Sequence, residues 1–153
     1  MKPIALIVED RPEMARLWET NLHPLDLDIR VADSLERALS IMGGVPPPDL
    51  LLLDLRLTDS DEVNTVAHIQ KFKKLNPLVI IIVISGFATP DIATAAIAQG
   101  ASSVINKLEM QKQVTLWREI EAALDQIPQD SAAHKIFGYT SALLTHFTKR
   151  FTA

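Results

Sequence analysis

Five short runs of Val, Ile and Leu set the narrowest limit on what this chain can fold into: Ile4–Val8, Leu27–Val31, Leu50–Leu53, Leu78–Ile84 and Ser103–Ile105. Several lack the polar alternation of a strand with one wet face, so they read as strands buried on both sides, the condition of a parallel sheet. Amphipathic stretches separate and follow them at Pro12–Leu22, Ser34–Met42, Asp61–Leu75, Pro90–Gln99 and Glu109–Ile127, and these read as helices. Thr89-Pro90 supplies a cap and a proline at the first helical position, Asp33 with Glu36 resembles a capping box, and Gly100 closes a helix. The Pro/Gly cluster Gly43–Pro48 reads as the loop into the third strand. Strand and helix in alternation, joined by right-handed crossovers, predict an α/β fold: a doubly wound five-stranded parallel sheet with helices on both faces.

At 153 residues and 48% hydrophobic content the chain suits one domain with a substantial core. The absence of cysteine excludes a disulfide framework or a thiolate metal site. The first apolar run is cut short by Glu9-Asp10, too soon for a signal-peptide core, and the longest pure apolar run, Leu78–Ile84, is seven residues. A membrane span needs roughly 20, so a cytoplasmic chain without membrane insertion is expected. With 19 acids against 15 Lys and Arg, direct nucleic-acid binding is not expected. All the acids lie at or before Asp130, whereas residues 131–153 carry only Lys135, Lys149 and Arg150.

In an open parallel sheet, functional groups gather at the carboxyl ends of the strands. Here the first strand runs into Glu9-Asp10, the third ends at Asp54, the fourth at Ser85, and the fifth is followed by Asn106-Lys107. Crowded carboxylates repel one another unless a cation sits among them, and oxygen ligands with open water positions suit Mg²⁺. An Asp beside that ion can attack a phosphoryl group and become an aspartyl phosphate. Asp54, preceded by four leucines, is the expected nucleophile. Lys107 would pair with one phosphoryl oxygen, Ser85 would donate to another, and Gly86 would leave room for the incoming group.

These segments, Ile-Val-Glu9-Asp10, Leu-Leu-Leu-Leu-Asp54-Leu-Arg-Leu, Val-Ile-Ser85-Gly86-Phe87 and Gly100 to Lys107, resemble the response-regulator receiver domain of two-component signalling. The resemblance spans residues 3 to about 127. It implies a flavodoxin-like strand order of 2-1-3-4-5 and a receiver over residues 1–127 that takes phosphate from a histidine kinase or phosphotransfer protein and acts on a downstream protein target. It also implies that Asp10 and Asp54 ligate Mg²⁺ directly, that Glu9 acts mostly through water, and that the Arg56 carbonyl adds a ligand. Such a domain is a signalling protein, not a turnover enzyme.

The chain departs from the family pattern in its readout. Val104 stands where an aromatic is usual, Leu108 where a cis proline is usual, and Thr58 and Glu62 replace a common Pro and Gly. A cis bond to Leu108 would cost about 2.5–4 kcal/mol, so a trans bond is expected. Lys71, Lys73 and Lys74 read as the solvated end of the third helix, the four histidines have no ligand-like spacing, and Trp18 and Trp117 read as core. Residues 128–153 form a separate extension, expected to be helical from about Ser131 to Arg150, with Ile136, Leu143, Leu144 and Phe147 at helical spacing. Its uses are folding back on its own domain, or docking a partner or a second copy in a homodimer. Two other functions stay open. One is an interaction module of receiver fold that ignores phosphorylation. The other is a phosphatase of haloacid-dehalogenase type, whose Asp-x-Asp-x-Thr motif is broken here by Arg56.

Overall fold

A computed structural model describes residues 2–86, 88–108 and 113–126 of the chain. Five strands and five helices alternate: β1 Ile4–Val8, α1 Pro12–Leu22, β2 Asp28–Ala32, α2 Leu35–Met42, β3 Leu50–Asp54, α3 Glu62–Leu75, β4 Ile80–Ser85, α4 Pro90–Gln99, β5 Ser103–Asn106 and α5 Gln113–Leu124. All strand pairs are parallel and the order is β2-β1-β3-β4-β5, the expected doubly wound sheet.

The two-residue period of a strand divides the core. Ala5, Ile7, Leu50, Leu52, Ile82 and Ile84 point to one face, where Trp18 and Leu22 of α1 and Leu116, Trp117 and Ile120 of α5 cover them. Leu6, Val8, Leu51, Leu53, Ile81 and Val83 point to the other, under Met42 of α2, Val66, Ile69 and Phe72 of α3 and Ala96 of α4. Because β1, β3 and β4 are covered on both sides, every residue in them is buried. Each such Leu or Ile contributes about 1.5–3 kcal/mol by leaving water.

The edges behave differently. β2 runs one residue later than Leu27–Val31 and leaves Asp28, Arg30 and Val31 exposed, because it has a neighbour on one side only. It is therefore not a strand buried on both faces. At the start of α2 the cap is Ser34, whose side chain accepts from Arg37 N, while Asp33 pairs with the Arg37 guanidinium; the capping box read from Asp33 and Glu36 does not form. A distant residue completes this cap: the Asp59 carboxylate accepts from Leu35 N at 2.9 Å and Glu36 N at 3.1 Å. Thr89 caps α4 as the sequence suggests, accepting from Ile92 N, and Asp61, read as the first residue of α3, is instead its cap and accepts from Asn64 N.

Lys73 corrects another expectation. Lys71 and Lys74 are exposed, but Lys73 is half-buried and donates to Val79 O at 3.0 Å, and desolvation lowers its pKa. Gly100 sits against it with φ +121°, and a Cβ built there would lie 2.9 Å from Lys73 Cγ. Among the described residues the one cis peptide is Val45–Pro46, so the bond from Lys107 to Leu108 is trans. Trp117 is core, as read, and its Nε1–H donates to Asn21 O at 3.1 Å. The extension from residue 128, the beginning of the last predicted helix at 109–112, and Ile127 and Phe87 lie outside the described residues. Among the described residues no helix is long and apolar enough to cross a membrane.

Candidate phosphoryl-acceptor site

The sheet delivers its polar residues to one edge. Since β1, β3 and β4 share register, with Val8 beside Leu53 and Asp54 beside Ile84, the residues that end these strands arrive side by side. Glu9 and Asp54 are 1% and 3% exposed, unusual for carboxylates that leave hydrophobic strands. One oxygen each from Glu9, Asp10 and Asp54 can be chosen so that all three lie within 4.8 Å of one another.

One cation answers them. Lys107, in the turn after β5, places Nζ 2.9 Å from Asp54 Oδ2 and 3.1 Å from Glu9 Oε2. The first contact is a hydrogen bond; the second is an ion pair whose angle leaves Glu9 Oε2 without a hydrogen-bond partner. Backbone donors fix the other oxygens, with Arg11 N on Glu9 Oε1 at 3.1 Å and Arg56 N on Asp54 Oδ1 at 3.2 Å.

Burial, reinforced by the neighbouring charge of Asp54, pushes Glu9 up to about 7, against the pull of the Arg11 N–H and the Lys107 charge. For Lys107, burial opposes the charge, but the hydrogen bond and charge of Asp54 and then the charge of Glu9 outweigh it, and its pKa is raised. This donor set fits a hard divalent cation. The three groups are oxygen ligands, they converge, and a buried Glu9 oxygen has no hydrogen-bond partner.

A cavity of about 300 Å³ opens onto this edge, lined by Asp10, Arg11, Asp54, Arg56, Glu62, Ser85, Gly86 and Lys107. The sequence-read site residues meet here: all but Glu9 line the cavity, and buried Glu9 reaches it through its 3.1 Å contact with Lys107. Gly86 does leave room, since among the described residues a Cβ there would meet only Lys107 Cδ, at 3.9 Å. Two lining side chains escaped the sequence reading of the site. Arg11 is exposed and has no motif to mark it, and Glu62 was noted only as a departure from a usual glycine. Glu62 in fact lines the cavity, held by Arg56 Nε at 2.7 Å. Between them Leu57 and Ser60 close a tight turn by exchanging backbone hydrogen bonds of 2.9 and 3.3 Å.

Known proteins resemble this chain in sequence and in fold. A response regulator from Pseudomonas aeruginosa, PilR, is 32% identical over 103 residues, 67% of this chain and 22% of that protein. The regulatory protein LuxO of Vibrio cholerae is 33% identical over 101 residues, 66% of this chain and 21% of its own. The chain thus spans about a fifth of the length of these curated relatives. The receiver domain of a CheY-like protein from Methanospirillum hungatei superposes with a TM-score of 0.71, covering 82% of this chain and 96% of that one at 21% identity, a likeness of fold. The response regulator receiver domain family matches residues 5–130, and the chain belongs to that family.

Proposed function

We propose that this chain accepts a phosphoryl group on Asp54 from a phosphohistidine of a histidine kinase or phosphotransfer protein, and that the modified face is then read by a protein partner. The observation that carries this reading is a buried Asp54 carboxylate paired at 2.9 Å with Lys107 and opening, beside Asp10, onto a cavity. In the transfer, the N–P bond of the donor breaks as Asp54 forms an O–P bond, and the histidine nitrogen keeps the electron pair. Charge then accumulates on the phosphoryl oxygens. Lys107 is placed to neutralise one of them and the Ser85 hydroxyl to donate to another. Asp10 and Asp54, with the Arg56 carbonyl, would hold Mg²⁺ directly, and Glu9 would act through water; the ion would neutralise phosphoryl charge. Arg56 N, bonded to Asp54 Oδ1, fixes the direction in which the carboxylate presents itself. Residues 1–127 would form the receiver and 128–153 an appended segment for contacts with this domain, a partner or a second copy.

Readout is where a second reading finds support. Val104 is half-buried against the core under α2, α3 and α4, and Leu108 is 72% exposed, so no aromatic ring at 104 can move between inner and outer positions. A module whose partner binding ignores phosphorylation fits that feature. The phosphatase reading gains nothing, because Arg56 brings a guanidinium tied to Glu62 where that chemistry needs an acid.

Incubation with Mg²⁺ and acetyl phosphate, followed by intact-mass measurement, tests the acceptor role. Addition of one phosphoryl group to wild type and none to Asp54→Ala is expected. Equal labelling of the two proteins, or no labelling of wild type, would overturn it. Unchanged partner affinity after labelling would favour the second reading.

A further inference from the structure

Two tryptophans are buried almost completely, Trp18 at 0% and Trp117 at 1% exposed, and they are treated differently. Trp117 donates its indole N–H to Asn21 O, whereas Trp18 Nε1 is buried with no hydrogen-bond partner among the described residues. An orphaned buried donor is unfavourable, and phenylalanine would fill an apolar site without one. Some other property of the indole must compensate at position 18.

That property faces the acceptor site. Lys107 Nζ lies 5.9 Å from the centroid of the Trp18 ring, and it is the same ammonium that holds both Glu9 and Asp54. The indole face is the most attractive of the aromatic surfaces to a cation within about 6 Å, more so where water is excluded. The Lys107 side chain is only 17% exposed. Strand alternation explains why these groups meet. Ile7, Leu50 and Leu52 share one core with Trp18, so Glu9 and Asp54, two residues beyond Ile7 and Leu52, continue that face. The ammonium therefore stands between carboxylates and a ring, its stem passing Gly86.

We propose that Trp18 is a positioning residue for Lys107: its ring face keeps the ammonium at the Asp54 carboxylate, so phosphoryl acceptance depends on a side chain assigned no contact with the phosphoryl group. This rests on the acceptor role of Asp54. The test is a double-mutant cycle on the full chain, comparing wild type, Trp18→Leu, Lys107→Gln and the double variant. Each is followed by its rate of phosphorylation with acetyl phosphate and Mg²⁺ and by thermal unfolding.

In the Lys107-containing protein, Trp18→Leu slows acceptance roughly fivefold through loss of the cation contact. With Gln at 107 the same change has no further effect. Trp18→Phe keeps a ring, removes the orphaned N–H, and falls between wild type and Trp18→Leu; it also serves if the leucine variant does not fold. An equal fall in rate with and without Lys107 would make Trp18 merely a packing residue and overturn the proposal. Should wild type take up no phosphoryl group, the acceptor reading itself fails, and the unfolding cycle decides the contact: coupling between positions 18 and 107 upholds it, strict additivity refutes it.

Discussion

The Lys107 ammonium stands 2.9 Å from Asp54 Oδ2 and 3.1 Å from Glu9 Oε2, bridging two buried carboxylates that would otherwise only repel. Replacing it by glutamine removes the shared counter-charge and leaves both acids desolvated. The folded state should lose about 1–3 kcal/mol. The loss is expected to be larger at pH 8 than at pH 6, because at lower pH Glu9 can take a proton instead. Urea unfolding at the two pH values measures this, and an equal loss at both would contradict it.

Glu9 gives the site a pH dependence of its own. In the metal-free protein its pKa rises from 4.5 to about 7, so between those values the folded chain holds a proton that the unfolded chain has released. Stability then falls as pH rises across that window. A cation needs the carboxylate form, so Mg²⁺ affinity should rise with pH up to about 7 and level off above it, with Glu9→Gln flattening the profile. Calorimetric Mg²⁺ titrations between pH 6 and pH 8 would reveal it. At a concentration 100 times its Kd the ion should add about 2.7 kcal/mol of stability, a gain lost in Asp10→Asn.

Gly100 holds φ +121°, and any Cβ there would press on Lys73 Cγ at 2.9 Å. Gly100→Ala should destabilise by about 1–3 kcal/mol through backbone strain and collision together. Adding Lys73→Ala relieves the collision but not the strain, so the double variant should recover only part of what the glycine change costs beyond Lys73→Ala alone. Thermal melts of the three variants separate the two contributions, and full recovery would show that the conformation carries no cost.

Asp59 reaches from the loop after β3 to cap α2, through Leu35 N and Glu36 N. Asp59→Ala should cost about 1 kcal/mol, in the range of a lost helix cap. Faster amide exchange confined to Leu35 and Glu36, with β3 still protected, is the signature; unaltered exchange there would mean that solvent replaces the carboxylate without loss.

Much of this was legible in the chain because parallel strands advertise themselves. Ile4–Val8, Leu50–Leu53 and Leu78–Ile84 are apolar throughout, and the polar residue that breaks each run marks the edge where chemistry can sit. Glu9, Asp10, Asp54 and Ser85 were found that way and Lys107 by its place just after the fifth run; all but buried Glu9, which contacts Lys107, line one cavity. What escaped depends on long-range geometry. The α2 cap draws on Asp59, more than twenty residues away, and local pattern favoured Asp33. Lys73 looked like one of three solvated lysines, but the fold brings the carbonyl of Val79, just before β4, within its reach. The helical spacing of Trp18 signalled burial, but its proximity to Lys107 arises only once α1 has packed on the sheet.

The division of each central strand between two cores has a bearing on how this chain can change. Asp54 lies on the Trp18 face because it stands an even number of residues from Leu50 and Leu52, and Leu51 and Leu53 belong to the opposite layer. Inserting one residue inside Leu50–Asp54 would exchange those faces, turning leucines that fit one layer into the other and carrying the Asp54 carboxylate away from Lys107. The Gly43–Pro48 loop, a few positions upstream, is largely exposed and belongs to neither core, so it can take up changes in length. Tolerance to insertion should therefore drop sharply where the loop gives way to β3, and that threshold protects the pairing of Asp54 with Lys107.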